Sequence, residues 1–348
     1  MFKAHYKGIE SINIQSKTLF KVMQKSLKFI GIDISKSTLD ICVLDNDSSV
    51  HYQIENQALQ IRKFFRVFPK KNIRICFENT GKYGWVLIEN LSKLEFKFYQ
   101  VNALHLKRSM GLVRGKDDVV DALRIAQFIT KNHKETPLYQ TSDKNIKKIQ
   151  VLISKRNLLV KQRAQHKTLK KENELLKSLK LPALGKYSNA IISLLNKHIK
   201  GIEKMITNII KQDQELNKNH RIATSVPGVG KIVSWNMLVK TNGYKGICNP
   251  RKFACYAGVA PFSQRSGTSI NKKARVSHLA DKTMKKLLHM AAMRAIQLEN
   301  DLKKYYIRKV NQGKNKMLVL NAVRNKIIHR IFAMIKNEKL YDFNLHLS

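Results

Sequence analysis

The sequence predicts a three-part chain: an α/β N-terminal domain, a long α-helical segment and a mainly α C-terminal domain. Three observations predict it. From residue 28 to about 140, short apolar runs of strand length alternate with longer amphipathic stretches. From about 143 to 220, Pro and Gly are nearly absent outside LPALGKY, and apolar residues recur at steps of three and four. Beyond SVPGVGKIVSW, glycine-bearing turns separate further amphipathic stretches.

Residues 1–27 are basic and weakly patterned, a basic N-terminal extension. The runs Phe29–Ile34 and Leu39–Leu44 flank a polar SKST turn, which reads as a β-hairpin. A strand follows at 50–56, a helix at 58–68, a strand at Ile73–Glu78, a helix at 85–94 and a strand at 97–101. Strands first, then strands alternating with helices, make one α/β domain over residues 28–140. In residues 141–220, Ile192, Leu195, Ile199, Ile202, Ile206, Ile209, Asp213 and Leu216 form a heptad seam. The helical stretch before it, 149–176, has a seam broken by Gln162, His166 and Asn173. Two long helices joined near Pro182–Gly185 predict an antiparallel, coiled-coil arm; an ordinary two-helix piece of a globular core is the plainer reading. Residues 221–348 form the C-terminal domain. It closes on a helix over 316–335, with Val319, Val323, Ile327 and Ile331 four residues apart.

Charge narrows the function. There are 66 Lys+Arg against 24 Asp+Glu, a formal net charge of +42, spread along the whole chain. Such a surplus attracts polyanions, and the expected partner is nucleic acid. A membrane-surface protein would concentrate its charge in one amphipathic segment. No apolar run is long enough for a spanning helix, and the first residues lack the pattern of a secretory leader. The four cysteines, Cys42, Cys76, Cys248 and Cys255, sit in apolar segments without a CxxC pair, so a reducing, cytoplasmic setting is expected, with no disulfides and no zinc knuckle.

In so basic a chain, acids placed in strands or on one helix face stand out. Asp33 lies inside the apolar strand FIGIDIS, where a carboxylate is costly unless paired or bound to a cation. Glu78 ends the strand IRICFE. Asp118 and Asp121, three apart in GKDDVVDALRIAQF, share one helix face, and Asp117 points elsewhere. Carboxylates brought together repel unless divalent cations are present, and oxygen-only donors suit Mg²⁺ or Mn²⁺. Singly, each has a bland explanation: a turn residue, a loop cap, a solvated face. Their order and placement match an RNase H-like nuclease core.

Two further segments suit phosphate. PGVG, Pro227–Gly230, opens a helix; Gly228 and Gly230 would let backbone N–H groups approach an anion beside Lys231, and a plain helix start is as good a reading. The segment 255–295 holds a loop dense in Ser, Thr, Lys and Arg, then a Lys/Met/Ala-rich helix. Ser266 stands between Arg265 and Gly267. A serine attacking a phosphodiester needs exposure and nearby cations, which Arg265, Lys272, Lys273 and Arg275 could supply. From composition alone a loop that only grips phosphate is favoured, and Ser263 and Ser269 compete as nucleophiles. Neither HExxH nor GxxxxGK[ST] occurs.

Together these motifs resemble the DEDD transposases of the IS-110/IS-1111 insertion-sequence family. FIGIDISKSTLD, FENTGKYGWVL and VNALHLKRSMGLVRGKDDVVDALRIAQF carry the N-terminal resemblance. SVPGVGKIVSWNML, FACYAGVAPFSQRSGTS and LADKTMKKLLHMAAMRA carry the C-terminal one. The resemblance spans about residues 28–335. It implies a RuvC-like catalytic domain, a coiled-coil segment and a C-terminal transposase domain. It implies an acidic tetrad at Asp33, Glu78, Asp118 and Asp121, binding Mg²⁺ or Mn²⁺, with Lys116 beside it and a nucleophilic Ser266. It further implies a bacterial, nucleoid-associated recombinase that excises and inserts its element as a dimer or tetramer, guided to target and donor DNA by a structured bridge RNA. Two departures stand out: Lys116-Asp117-Asp118 replaces the usual Lys-Thr-Asp, and Leu279-Ala280-Asp281 replaces a common Gly-Asn. The alternatives are a metal-dependent nuclease or junction resolvase without a covalent serine step, and an inactive nucleic-acid-binding relic.

Overall fold

The computed structural model describes residues 27–45, 48–109, 117–141, 143–175, 182–266 and 270–342. The basic extension before Leu27 lies outside them. The chain divides into two compact units, residues 1–141 and 142–348.

The first unit is built on a five-stranded mixed sheet. β1 (Lys28–Ile34) and β2 (Thr38–Asp45) form the expected antiparallel hairpin, and β3 (Ser48–Glu55) pairs antiparallel with β2. After α1 (Ala58–Phe65), β4 (Ile73–Glu78) returns parallel to β1; after α2 (Trp85–Lys93), β5 (Phe98–Val101) lies parallel to β4. α3 (Ala103–Ser109) and α4 (Asp118–Asn132) complete the unit. The strand order is β3-β2-β1-β4-β5.

β1 is apolar on both sides because both faces of the sheet are covered. Ile30, Ile32 and Ile34 pack with Phe64 and Phe65 of α1 and Leu87 and Leu91 of α2. On the other face Phe29, Cys76 and Tyr99 pack with Ile125, Phe128 and Ile129 of α4. Gly31 lets α4 come close: a Cβ there would lie 2.2 Å from both the Ala122 carbonyl oxygen and the Ala126 nitrogen. The mixed sheet with its flanking helices bears out the expected α/β N-terminal domain.

The second unit opens with α5 (Lys144–Leu175) and α6 (Pro182–Gln212). They run antiparallel, since Asn145 meets Asp213, Arg156 meets Glu203 and Arg163 meets Asn196. Burial is concentrated at one end of the pair: Ile146, Ile149, Ile153, Ile206 and Ile210 are buried, whereas Leu158, Leu169 and Leu194 are exposed. The expected seam differs in two details. The junction precedes Pro182, which takes the first helical position that proline suits, and Gly185 lies inside α6. Asp213 does not continue the seam; it caps α7 (Gln214–Ser225) by accepting from the Leu216 N–H at 3.0 Å.

α8 (Lys231–Lys240) and α9 (Pro250–Tyr256) follow, then a two-stranded antiparallel hairpin of β6 (Pro261–Ser266) and β7 (Ile270–Val276), then α10 (Lys282–Ala295), α11 (Asp301–Asn311) and α12 (Lys316–Lys336). The segment expected as a serine-rich loop is thus largely this hairpin. Pro261, Phe262, Ser263, Ala274 and Arg275 are all exposed, so no face imposes the apolar alternation that announces a strand. Asn249, Asp281, Asn300 and Asn315 each cap the helix that follows by accepting backbone N–H groups. The core of the unit gathers Trp235, Phe253, Met284 and Leu288 around Leu320, Val323, Ile327 and Ile331 of α12. No described helix is long and apolar enough to cross a membrane.

Candidate active site and nucleic-acid surface

Side-chain alternation puts the acids of the first unit on one face at one end of the sheet. Gly31 of β1 touches α4, so Asp33, two residues on, projects to the same side. Cys76 of β4 packs on α4, so Glu78 follows it. Ile32 pairs with Phe77, and Asp33 and Glu78 come next on their parallel strands. Asp118 and Asp121 occupy the first turn of α4, the helix that Gly31 admits to this face. The four expected acids therefore approach one region from three elements.

Their proximity is visible in Asp33, whose carboxyl is pushed up to about 6. Burial is the largest cause; the charges of Asp118, Asp121 and Glu78 add to it, against a backbone hydrogen bond at Ile34. Asp117 is engaged otherwise: it caps α4, accepting from the Val119 N–H at 3.0 Å. Asp121 Oδ1 accepts from Arg124 Nη1 at 2.8 Å. Among the described residues, no group of three or more His, Cys, Asp or Glu is drawn tightly enough to hold a metal ion as it stands. Repulsion among like charges favours such an open set. The donor chemistry, all carboxylate oxygen, fits a hard divalent cation.

One acid here escapes the sequence reading. Asp40 pairs across the hairpin with Asp33 and is only 2% exposed. Gln53 Nε2 donates to its Oδ1 at 3.0 Å, and His51 Nε2 lies 3.4 Å from the same oxygen. Burial raises the Asp40 pKa, opposed by Gln53 and His51 and reinforced by Asp118 and Asp117. The signal was present: Asp40 interrupts the apolar run TLDICVLD, as Asp33 interrupts FIGIDIS.

In the second unit Ser266 ends β6, paired with Ile270 next to the hairpin tip. Its side chain, like those of Arg265, Lys272 and Lys273, lies outside the described residues, as does Lys116. Arg275 is exposed on β7. Gly228 has φ +82°, and a Cβ on it would strike the Ala291 carbonyl oxygen at 2.2 Å, so this turn needs glycine to seat against α10. Gly230 is the exposed N-cap residue of α8. Lys231 makes an ion pair with Glu203 Oε2 at 2.8 Å and lies over the Trp235 ring. A cavity of about 660 Å³ flanks the turn, lined in part by Pro227, Gly228, Gly230, Arg294 and Tyr341.

Comparison with known proteins matches both halves of this arrangement to one group. The DEDD transposase model of IS110 matches residues 30–179, and the transposase model of the IS116/IS110/IS902 family matches residues 220–307. The chain belongs to the IS110 family of transposases. It is a DNA transposase or recombinase enzyme. Pilin gene-inverting proteins of Moraxella bovis and Moraxella lacunata are each 25% identical over 331 residues, covering 92% of this chain and 99% of theirs. A 43.6 kDa protein of insertion element IS110 from Streptomyces coelicolor is 26% identical over 121 residues, covering 35% of this chain and 30% of that protein. Among solved structures, T. thermophilus RuvC in complex with a Holliday junction substrate aligns at a TM-score of 0.27 and 11% identity, covering 32% of this chain and 99% of that one. As a DEDD transposase, this IS110-family enzyme is implied to depend on a divalent metal.

Proposed function

We propose that this transposase excises and inserts its element by metal-assisted, serine-mediated strand transfer, guided by a structured RNA and acting as a dimer or tetramer. The observation that carries the metal-assisted half is the gathering of Asp33, Glu78, Asp118 and Asp121 at one end of the sheet, in a chain of net charge +42. Those four carboxylates would hold Mg²⁺, or Mn²⁺ in its place. When bound, the cation offsets charge on the phosphodiester under attack. Negative charge is concentrated there while the chain as a whole carries a net charge of +42, so DNA is drawn in by the chain and tolerated at the acids by the cation.

Ser266 supplies the nucleophile. Its Oγ forms a bond to phosphorus, its proton passes to a base, and the sugar oxygen leaves and takes up a proton. Strand ends held as a phosphoserine keep the bond energy needed for rejoining. Arg265, Lys272, Lys273 and Arg275 offset charge on the phosphate. Gly228, Gly230, Lys231 and Lys116 contact the nucleic-acid backbone. Residues 28–140 carry the acids and residues 221–348 carry the serine. The pilin gene-inverting relatives are named for a DNA rearrangement, which agrees with site-specific recombination.

The test is Asp118→Ala. It abolishes strand cleavage in Mg²⁺ and leaves DNA binding intact, because phosphate attraction resides in the Lys and Arg residues. Cleavage at the wild-type rate in this variant removes the acidic site from the mechanism. RNA that copurifies with the protein and is required for target choice supports the guide; full, site-specific activity after RNase treatment removes it.

A further inference from the structure

α12 buries an arginine that no acid answers. Arg324 is 7% exposed. Its Nη2 donates to His289 Nδ1 of α10 at 2.7 Å, its Nη1 reaches Asn321 Oδ1 at 3.4 Å, and its Nε has no hydrogen-bond partner. Among the described residues no carboxylate lies within ion-pair distance of it: the acids of this unit that form ion pairs do so with other bases. Arg330, further along the same helix, shows the usual solution, an ion pair with Asp301. Burial alone pushes the Arg324 pKa below the ordinary arginine range, as expected of a cation without a counter-ion. A buried charge of this kind is costly unless an anion arrives.

The surroundings say where the anion would come from. Asn321 Nδ2 donates to the Val259 carbonyl at 2.9 Å, two residues before β6 begins. The arginine therefore sits at the root of the hairpin whose far end carries Ser266. His289 accepts from Arg324 through Nδ1, which leaves its proton on Nε2. The ring is partly exposed, so Nε2–H is a neutral donor at the surface beside the guanidinium. Lys286, one turn earlier on α10, is exposed and adds positive charge.

We propose that Arg324 and His289 form a phosphate-binding subsite at the root of the β6–β7 hairpin, taking a backbone phosphate of the bound nucleic acid. Arg324 supplies the charge and His289 a directional hydrogen bond. Pro261 and Ser266 are five strand residues apart, roughly 17 Å. At about 3.4 Å per nucleotide, and resting on the proposed role of Ser266 as nucleophile, the gripped phosphate lies some five nucleotides from the bond under attack. Arg324 is thus a positioning residue that sets the register of the strand on the hairpin.

Arg324→Met in the full chain tests this, since it removes the charge and keeps an apolar side chain of similar length. Without nucleic acid its Tm equals or exceeds that of the wild type, because an unanswered buried charge has gone. Its plot of log binding constant against log salt becomes shallower by about 0.9 on duplex DNA, or by about 0.7 on a single strand. Duplex DNA, single-stranded DNA and an RNA hairpin are titrated separately, and the one whose slope changes names the source of the phosphate. His289→Ala, at a partly exposed position, weakens binding to that same ligand severalfold with the slope unchanged, since the group lost is neutral. An unchanged slope for Arg324→Met on all three ligands overturns the subsite. Should that variant not fold, unaltered affinity in His289→Ala overturns it. Neither result touches the metal-dependent cleavage tested by Asp118→Ala.

Discussion

Asp33 is held against its own charge. Its folded pKa of about 6 exceeds the ordinary aspartate value, so the protonated form is the one the fold favours. The stability this gives is fully present below about pH 4 and is lost as pH rises through about 6. Metal-free Asp33→Asn is therefore as stable as the wild type near pH 4, and more stable above pH 6. The gain is about 1–2 kcal/mol once the shift is discounted for partial exposure. Thermal unfolding across that pH range without divalent cations checks it; a variant less stable than wild type at pH 7.5 contradicts the assignment of strain to this carboxylate. Asp33 was legible because an acid inside FIGIDIS has no cheap explanation. Asp40 was equally marked but was passed over, although the hairpin expected about the SKST turn already sets it opposite Asp33. Arg324 was illegible for a related reason: a base in an amphipathic helix reads as surface, and only packing shows that it is buried.

At the scale of elements, the tight seating of α4 on β1 brings the acids together. Gly31 meets the backbone at Ala122 and Ala126, which no side-chain rotation can relieve. Gly31→Ala lowers the unfolding free energy by about 3 kcal/mol, at the upper end of overpacking costs, and reduces cleavage more than DNA binding. Urea unfolding and paired cleavage and binding assays check it; an alanine variant with wild-type stability shows that the helix rides higher on the sheet. The elements of the first unit were readable to within a few residues, since apolar periodicity follows directly from burial. Hairpin β6–β7 was not, because the side chains described at its root, Pro261 to Ser263 with Ala274 and Arg275, are all exposed. The heptad steps ran on through Asp213 because sequence spacing alone does not distinguish a seam position from an N-cap, and here the side chain accepts the Leu216 N–H.

For the whole molecule, the surplus of 66 Lys+Arg over 24 Asp+Glu decides how DNA is held. If six or more phosphates are neutralised, affinity for a random duplex falls by roughly 10³-fold between 50 and 200 mM salt. A filter-binding or fluorescence titration series measures this, and a flat profile contradicts the electrostatic reading. The charge that draws nucleic acid in was legible from composition. The proposed partnership of the acids of one unit with the serine of the other rests on the two motif sets, since composition marks neither which acids nor which serine would act. Denaturing-gel detection of a covalent protein–DNA adduct, with labelled donor DNA in Mg²⁺, bears on that partnership most directly. Wild type gives the adduct, Ser266→Ala gives none, and Asp118→Ala gives none while still binding the DNA. An adduct that persists in Ser266→Ala places the nucleophile elsewhere and ends the serine mechanism.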